Sequence, residues 1–356
     1  MRPMPDTLLI LSPGFAASEA DTTCLPAQQA FVLALQQEYP NLHIIILSFQ
    51  YPFKPGEYLW NGVKVFAFGG RSKGGLYRLL TWLRVWLRLR KLHRQYTIVG
   101  LLSFWLGEAA FVGSRFARRK GLKHYSWLLG QDAKAGNKYA RWINPNGDDL
   151  IALSDALRTE YQKNYGLAPE HVIPNGVLPE AFPDTGEERD IDILGVGSLI
   201  PLKRYHLFAE LIRRLKASHP NIKAVICGEG PDMQNLKDLI AKLNLGGNLI
   251  LKGELPHPQV LALMQRSRVF MHTSEYEGFS TVCLEALYAG AHVVSFVKAM
   301  DAEILNWDVV DTTEGMLNVV EGILQKGHQD HKPVMPYPIA DNAKALMRLY
   351  GYDNRV

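Results

Sequence analysis

Ser274 to Ala291 reads SEYEGFSTVCLEALYAGA, with Glu277 and Glu285 eight positions apart. Between the two carboxylates stands Gly278-Phe279-Ser280-Thr281, polar and flexible, and Val282 to Ala289 after it has helical character. Ahead of the motif, Arg268-Val269-Phe270-Met271-His272 reads as a short buried strand, so the order is strand, glycine turn, helix. That order builds an anion site. A helix start leaves backbone N–H groups unpaired and carries about half a positive charge, so a diphosphate placed there is stabilised without a metal. Gly278 lets a ligand approach the main chain. Glu277, at the strand end, is placed to project above the sheet, and Glu285, about one turn into the helix, to reach back beside the same ligand. Ionised carboxylates only accept hydrogen bonds and so suit sugar or ribose hydroxyls. Taken by itself, a Glu-x7-Glu pair is far more often two solvated helix-end carboxylates, and its context has to decide.

The chain around this motif has 356 residues, long for one core and comfortable for two domains. Its hydrophobic fraction of 47% and charged fraction of 21% are those of a soluble globular protein. Cys24, Cys227 and Cys283 lie far apart without metal-ligand spacing, which points to a reducing cytosol. No apolar run approaches the ~20 residues needed to span a bilayer, and the run from Leu8 to Leu11 lacks the basic flank and cleavage site of a leader. A cytoplasmic protein is expected. The net charge of +4 is too small to imply a nucleic-acid partner, and none is expected.

One pattern recurs along the chain. Thr7-Leu8-Leu9-Ile10-Leu11 ends at Ser12-Pro13-Gly14-Phe15, a first strand feeding a glycine loop, and is followed by helical spacing over 25–39 and a second strand over 43–49. Strand 97–103 precedes helix 108–120, residues 124–133 read as a strand ending in a polar loop, and residues 149–154 precede helical spacing over 155–165. Prolines and charges over 179–190 read as a solvated connection. Beyond it, strands are expected at 191–196, 224–227 and 249–253, helices from Tyr205 and over 233–243, and an amphipathic helix over 339–350. Alternation of this kind defines doubly wound α/β sheets, here in two halves divided near residue 180.

Residues 76–94 depart from the pattern. At about 100° per residue, Tyr77, Thr81, Arg84, Arg88 and Lys91 form a polar stripe, while Leu76, Leu79, Leu80, Trp82, Leu83, Val85, Trp86, Leu87 and Leu89 cover most of the rest. That apolar arc is wider than packing on one sheet requires, and no acidic residue occurs from Arg71 to Arg94. Two readings stand: a helix at the headgroup boundary of an anionic membrane, or a core helix whose arginines snorkel to solvent.

The stretch EGFSTVCLEALYAGAHVVSF resembles the donor-site signature of the retaining GT-B glycosyltransferases of family 4 (group 1), E-G-F/L-x5-E followed by A-x-G-x-P-V-V, with His292 in the proline position. HVIPNGV over 171–177 matches that family's V-I-P-N-G-V, and AVICGEGP over 224–231 its V-x-x-G-x-G-P. GSLIPLKR over 197–204 follows G-R-L-x-x-x-K-G, with Lys203 on the lysine and Ser198 on the arginine. Departures gather in the first half: Leu129 replaces a histidine, and Asp21-Thr22-Thr23-Cys24 stands where a second glycine pair is usual.

The resemblance implies two Rossmann-like domains with a crevice between them. Residues 1–180 would form the acceptor side, 181–335 the nucleotide-sugar domain, and 336–356 a helix crossing back to the first. It implies that Glu277 contacts the transferred sugar, Glu285 the donor ribose, and Lys203 with the backbone of Thr281 and Val282 the diphosphate. Arg204 would stand in for the missing arginine, Gly278 and Phe279 would provide the close main-chain approach, Leu255 would meet the nucleobase, and Gly14 would line the crevice. In the first half Gln131 and Asp132 become the polar candidates, Asp132 the catalytic one, its other reading being a turn or cap residue. No cofactor and no metal are implied beyond the nucleotide-sugar donor. The expected activity is retaining, metal-independent hexosyl transfer to a glycan or lipid-linked acceptor in cell-envelope or polysaccharide biosynthesis, at the inner face of the plasma membrane if 76–94 binds lipid. The rivals are a GT-B sugar-nucleotide epimerase and a catalytically degenerate sugar-nucleotide-binding membrane subunit.

Overall fold

The fold is described from a computed structural model over residues 5–184, 188–326 and 331–352. The chain divides into two compact units, one formed by Met1–Gly176 with Tyr337–Val356, the other by Val177–Pro336. Of the connection read at 179–190, residues 185–187 lie outside the described residues.

The first unit runs β1 (Asp6–Gly14), α1 (Pro26–Glu38), β2 (His43–Tyr51), β3 (Gly56–Trp60), β4 (Val63–Ala67), α2 (Gly75–Gln95), β5 (Thr97–Phe104), α3 (Glu108–Lys120), β6 (His124–Leu128), α4 (Lys138–Ile143), β7 (Leu150–Ala152), α5 (Asp155–Tyr165) and β8 (His171–Val172). Its sheet has the order β3-β4-β2-β1-β5-β6-β7-β8, with only β3 antiparallel. Leu8 to Leu11 are fully buried, as a central parallel strand covered on both faces demands. Leu9 is in register with Ile45 on one side and Leu101 on the other. The β3–β4 hairpin is absent from the sequence reading, although its signal was present: Asn61-Gly62, both at positive φ, form the two-residue turn between Trp60 and Val63.

The second unit runs β9 (Ile191–Val196), α6 (Tyr205–Ser218), β10 (Ala224–Cys227), α7 (Met233–Lys242), β11 (Leu249–Leu251), α8 (His257–Gln265), β12 (Ser267–His272), α9 (Thr281–Tyr288), β13 (His292–Ser295), β14 (Trp307–Val309) and α10 (Thr313–Gln325). All six strands are parallel in the order β11-β10-β9-β12-β13-β14. The direction of winding reverses between β9 and β12, and in open α/β sheets ligands bind beyond the strand ends at such a switch point. The Gly197–Lys203 loop and the Glu277 motif both leave the sheet there.

The last helix, α11 (Ile339–Leu349), belongs to the first unit and packs on α1. Asn342 Nδ2 donates to the Pro174 carbonyl at 2.9 Å and Tyr350 Oη to that of Leu101 at 2.7 Å. Any side chain at Gly176 would place its Cβ 2.5 Å from Ile339 Cα, so the chain end fits only against glycine there.

Helix α2 corrects the stripe read from the sequence. Thr81 is buried, donating to the Tyr77 carbonyl at 3.0 Å, and it shares the core face with Val85, Leu89 and Leu92. Trp82 and Trp86 are half-buried against α3, their rings 5.1 Å from Phe111 and 5.4 Å from Phe116. A separate apolar row faces solvent: Leu76 is 80% exposed, and Leu79, Leu80, Leu83 and Leu87 are each more than half exposed. The helix is therefore a core element on one side and an uncovered leucine ridge on another.

Candidate active site

The second unit's switch point is built on glycine. Gly228 has φ +146°, and a Cβ there would lie 2.0 Å from the Gly197 carbonyl oxygen, so the loops after β9 and β10 close only without a side chain. Leu199 N–H donates to Glu229 O at 2.8 Å and Asp232 N–H to Leu199 O at 3.0 Å, lacing the two loops together. The loop after β9 is tied in turn to the end of β12: Glu275 N–H donates to Leu202 O at 3.0 Å and Thr273 Oγ1 to Lys203 O at 2.8 Å.

This lacing brings Lys203 to Glu277. The Lys203 ammonium donates to Glu277 Oε1, which also accepts from Ser274 Oγ at 2.9 Å and lies 3.2 Å from His272 Nε2. Burial pushes the Glu277 carboxyl upward, but the His272 hydrogen bond and the Lys203 charge outweigh it and hold the group at about 2. Burial also lowers His272 against the opposing pull of Glu277, so at neutral pH it is an uncharged partner and Lys203 supplies the counter-charge. Glu277 is thus ionised and fixed in orientation one residue before Gly278.

Helix α9 begins at Thr281. The amides of Cys283 and Leu284 return to Ser280 O at 3.1 and 3.4 Å, while that of Val282 precedes any acceptor within the helix. Gly278 is buried, Thr281 and Val282 are partly exposed, and the Phe279 ring is withdrawn into the core, stacked on Trp307 at 5.9 Å. Phe279 therefore offers its main chain rather than its ring. Glu285 is buried on a helix whose other inward residues are apolar, and its Oε1 lies 2.8 Å from His257 Nε2 at the start of α8. Burial pulls the His257 imidazole down, yet the Glu285 hydrogen bond and charge prevail and raise it above the ordinary histidine value. Leu255, half-buried, packs against the core two residues earlier. His257, His272 and Ser274 complete the site and were not assigned from sequence; their signal was a polar residue at a strand end or helix start beside the motif.

Arg204, expected to stand in for the missing arginine, is tied to the main chain just after β12. Its Nε donates to Thr273 O at 2.9 Å, Nη2 reaches Ser274 O at 3.5 Å, and the guanidinium lies 4.8 Å over Phe296. Its backbone is left-handed at φ +50°, where the resembled motif has glycine, so the residue braces the loop that carries Glu277. Ser198 is exposed and adds no charge. A cleft of about 830 Å³ borders the motif through Phe279 and Phe296, but neither Lys203 nor Glu277 lines it, so volume does not locate the chemistry.

On the first unit, Gly14 closes β1, and the loop after it is organised by Asp21. That carboxylate accepts from Ala17 N–H at 2.9 Å, Cys24 N–H at 3.2 Å and Tyr51 Oη at 2.8 Å. The Asp21 hydrogen bond is the main reason the Tyr51 phenol is pushed up to about 12. Asp132, expected to be catalytic, accepts from the amides of Leu106 at 2.9 Å, Leu129 at 3.1 Å and Gly130 at 2.8 Å. Burial raises its carboxyl while those amides pull the other way. With its oxygens so engaged, it holds its loop.

Two doubly wound parallel sheets place the molecule in the GT-B class. Sucrose-phosphate synthase from Thermosynechococcus elongatus superposes with a TM-score of 0.67 at 14% identity, covering 98% of this chain and 96% of that one. HepE of Anabaena, solved with UDP and glucose, superposes at 0.65 and 16% identity, with 98% of each chain covered. Residues 179–312 match the family described as glycosyl transferases group 1, and residues 29–181 match glycosyltransferase family 4. The two matches fall on successive halves of the chain, which resembles the group 1, family 4-like glycosyltransferases in both. It is 29% identical over 164 residues to the phosphatidylinositol N-acetylglucosaminyltransferase gpi3 subunit of Schizosaccharomyces pombe, covering 45% of this chain and 36% of the relative. The corresponding GPI3 subunit of Saccharomyces cerevisiae is 25% identical over 238 residues, 60% of this chain and 53% of the relative. Glycogen synthase of Mycobacterium tuberculosis is 29% identical over 178 residues, 49% and 43%. The chain thus spans about half, or less, of these curated relatives.

Proposed function

We propose that the protein transfers a hexosyl group from a nucleotide-sugar donor, with retention and without a metal, to a glycan or lipid-linked acceptor in envelope or polysaccharide synthesis. The observation that carries this reading is the ionised Glu277, held against Lys203 immediately before the glycine turn into α9. Lys203 and the first amides of α9 receive the diphosphate, Glu285 the ribose, Leu255 the base, and Glu277 the transferred sugar. As the bond to the leaving diphosphate breaks, negative charge grows beside Lys203 and the helix start, while Glu277 faces the positive charge developing on the sugar. Groups already fixed in these places favour the transition state without reorganising.

Glycogen synthase supports a glycan acceptor, and the phosphatidylinositol N-acetylglucosaminyltransferase subunits support a lipid-borne one. The leucine ridge of α2 favours the lipid, and it seats the protein on the inner face of an anionic membrane. Among the described residues no helix is long and apolar enough to cross a bilayer, so attachment would be peripheral. A thermal-shift screen of UDP-, GDP- and ADP-sugars tests the donor assignment, since a ligand bound only by the folded state raises stability with its affinity. A shift with slow donor hydrolysis in the absence of acceptor is expected. A shift without any turnover would leave a binding subunit, the reading that the uncharged Ser198 favours.

A further inference from the structure

A groove of about 630 Å³ runs between the β3–β4 hairpin and α2, lined by Glu57, Phe66, Arg84, Leu87, Arg88 and Lys91. Arg84, Arg88 and Lys91 recur at helical spacing, so one side of the groove is cationic. Glu57, the carboxylate on the hairpin side, is already met twice, by Lys64 Nζ at 3.0 Å and by Arg88 Nη1 at 3.8 Å. Arg88 is further held flat, 4.1 Å over the Phe66 ring. Arg84 and Lys91 have no such partner among the described residues, and both are exposed. The groove is therefore lined by three cations against one carboxylate, itself also met by Lys64 from outside the groove, and two of the three have no counter-charge among the described residues, over an aromatic floor.

Leu87 belongs both to this groove and to the exposed leucine ridge, which continues through Leu83, Leu80, Leu79 and Leu76. Uncompensated guanidinium and ammonium groups suit a phosphate, arginine in forked geometry and lysine as a point charge. The contiguous apolar ridge suits what a lipid phosphate is attached to. We propose that this groove is a binding site for the phosphate-bearing headgroup of an anionic membrane lipid, so that α2 captures one lipid while its leucines enter the surrounding layer. The proposal rests on the membrane reading of α2 given above.

Calorimetric titration with dihexanoyl phosphatidic acid below its micellar concentration, with inorganic phosphate, and flotation with vesicles containing phosphatidic acid separate the parts. The monomeric lipid should bind one per chain, and inorganic phosphate far more weakly. Replacing Arg84→Ser and Lys91→Ser together should weaken the monomer by roughly thirtyfold, from the usual worth of two basic residues at an anionic surface. Leu79→Ser with Leu83→Ser should leave monomer affinity unchanged and abolish flotation. All four side chains are exposed, so both variants keep the fold. Absence of saturable monomer binding, equal binding of inorganic phosphate, or indifference to Arg84 and Lys91 would overturn the headgroup site while leaving the leucine ridge intact. Normal flotation of the leucine variant would overturn the entry of the ridge into the layer, and failure of the unchanged protein to float would remove the membrane reading itself.

Discussion

Both units wind a parallel sheet outward from a central strand and reverse direction beside it, β1 against β5 in the first and β9 against β12 in the second. Their switch points are nevertheless furnished differently. In the second unit, the ends of β9 and β12 carry an ion pair, Lys203 with Glu277, next to a helix start. In the first, the carboxylates near the strand ends are engaged in structure: Asp21 and Asp132 gather main-chain amides, and Glu108 accepts from Trp82 Nε1 at 3.0 Å and from Gln50 Nε2. One fold thus yields a charged cluster where its polar side chains face one another, and a scaffold where they face their own backbone.

The strongest way to break this contrast is Glu277→Gln. Turnover of the donor should fall by roughly 10² to 10³, the usual consequence of losing one transition-state-stabilising group, with a smaller change in donor affinity; a raised KM with kcat unchanged would mean uniform binding instead. The same substitution reports on acid stability. The Glu277 carboxyl is depressed from 4.5 to about 2 in the folded protein, so its stabilisation is full above pH 4.5 and is lost as pH falls toward 2. With about 1.4 kcal/mol per unit, that is on the order of 3 kcal/mol. Denaturant titrations at pH 7 and pH 3 should show the wild type losing about 2 kcal/mol of this increment, the rest going only below pH 3, and the Gln variant not losing it.

Asp132→Ala tests the other side. Leaving three amides without their acceptor should cost about 2 to 3 kcal/mol of stability in the first unit, with donor affinity in the second untouched. If the variant remains as stable as the wild type and turnover vanishes, Asp132 returns to the catalytic set and the contrast fails.

The contrast also explains what could be read from residues alone. The proposed anion site in the second unit consists of contiguous features, a strand end, Gly278 and a helix start, so the Glu277–Glu285 stretch and Lys203 carry their own structural context. His257 and His272 escaped because their importance depends on which carboxylate the fold sets beside them, 28 and 5 positions along the chain. In the first unit, the alternation of strands and helices was legible in its long elements, whereas the hairpin at Asn61-Gly62 was overlooked. The Asp132 role was not readable, since one polar loop residue fits a catalytic acid and an amide acceptor equally. On α2, a helical wheel finds an apolar arc but cannot divide it between core and solvent; neighbouring Phe111 and Phe116 make that division.

Ser198→Arg sharpens the comparison within the donor side. Restoring the arginine of the resembled motif at an exposed position should tighten donor binding by about 1.5 to 3 kcal/mol if a charged hydrogen bond to the diphosphate forms. Calorimetry on the donor found in the thermal screen measures it. No gain would mean that Lys203 and the helix start already satisfy the phosphates.

The smallest effect is expected at His257, and its sign follows from the direction of its shift. Glu285 raises the His257 imidazole above its ordinary 6.5, so the charged form is favoured by folding. Its stabilisation is complete below pH 6.5 and is lost as pH rises through the higher folded value. His257→Gln keeps a donor near Glu285 but removes the titration. The stability difference between wild type and variant should therefore be largest at about pH 6, under roughly 1 kcal/mol for a partly exposed pair, and should close in the alkaline range. Donor affinity should follow another course: as His257 loses its proton, the Glu285 carboxylate is less committed to it and more available to ribose hydroxyls, so the wild type should bind donor better as pH rises while the variant stays flat. Parallel pH profiles for the two proteins would show that His257 packs beside Glu285 without tuning it.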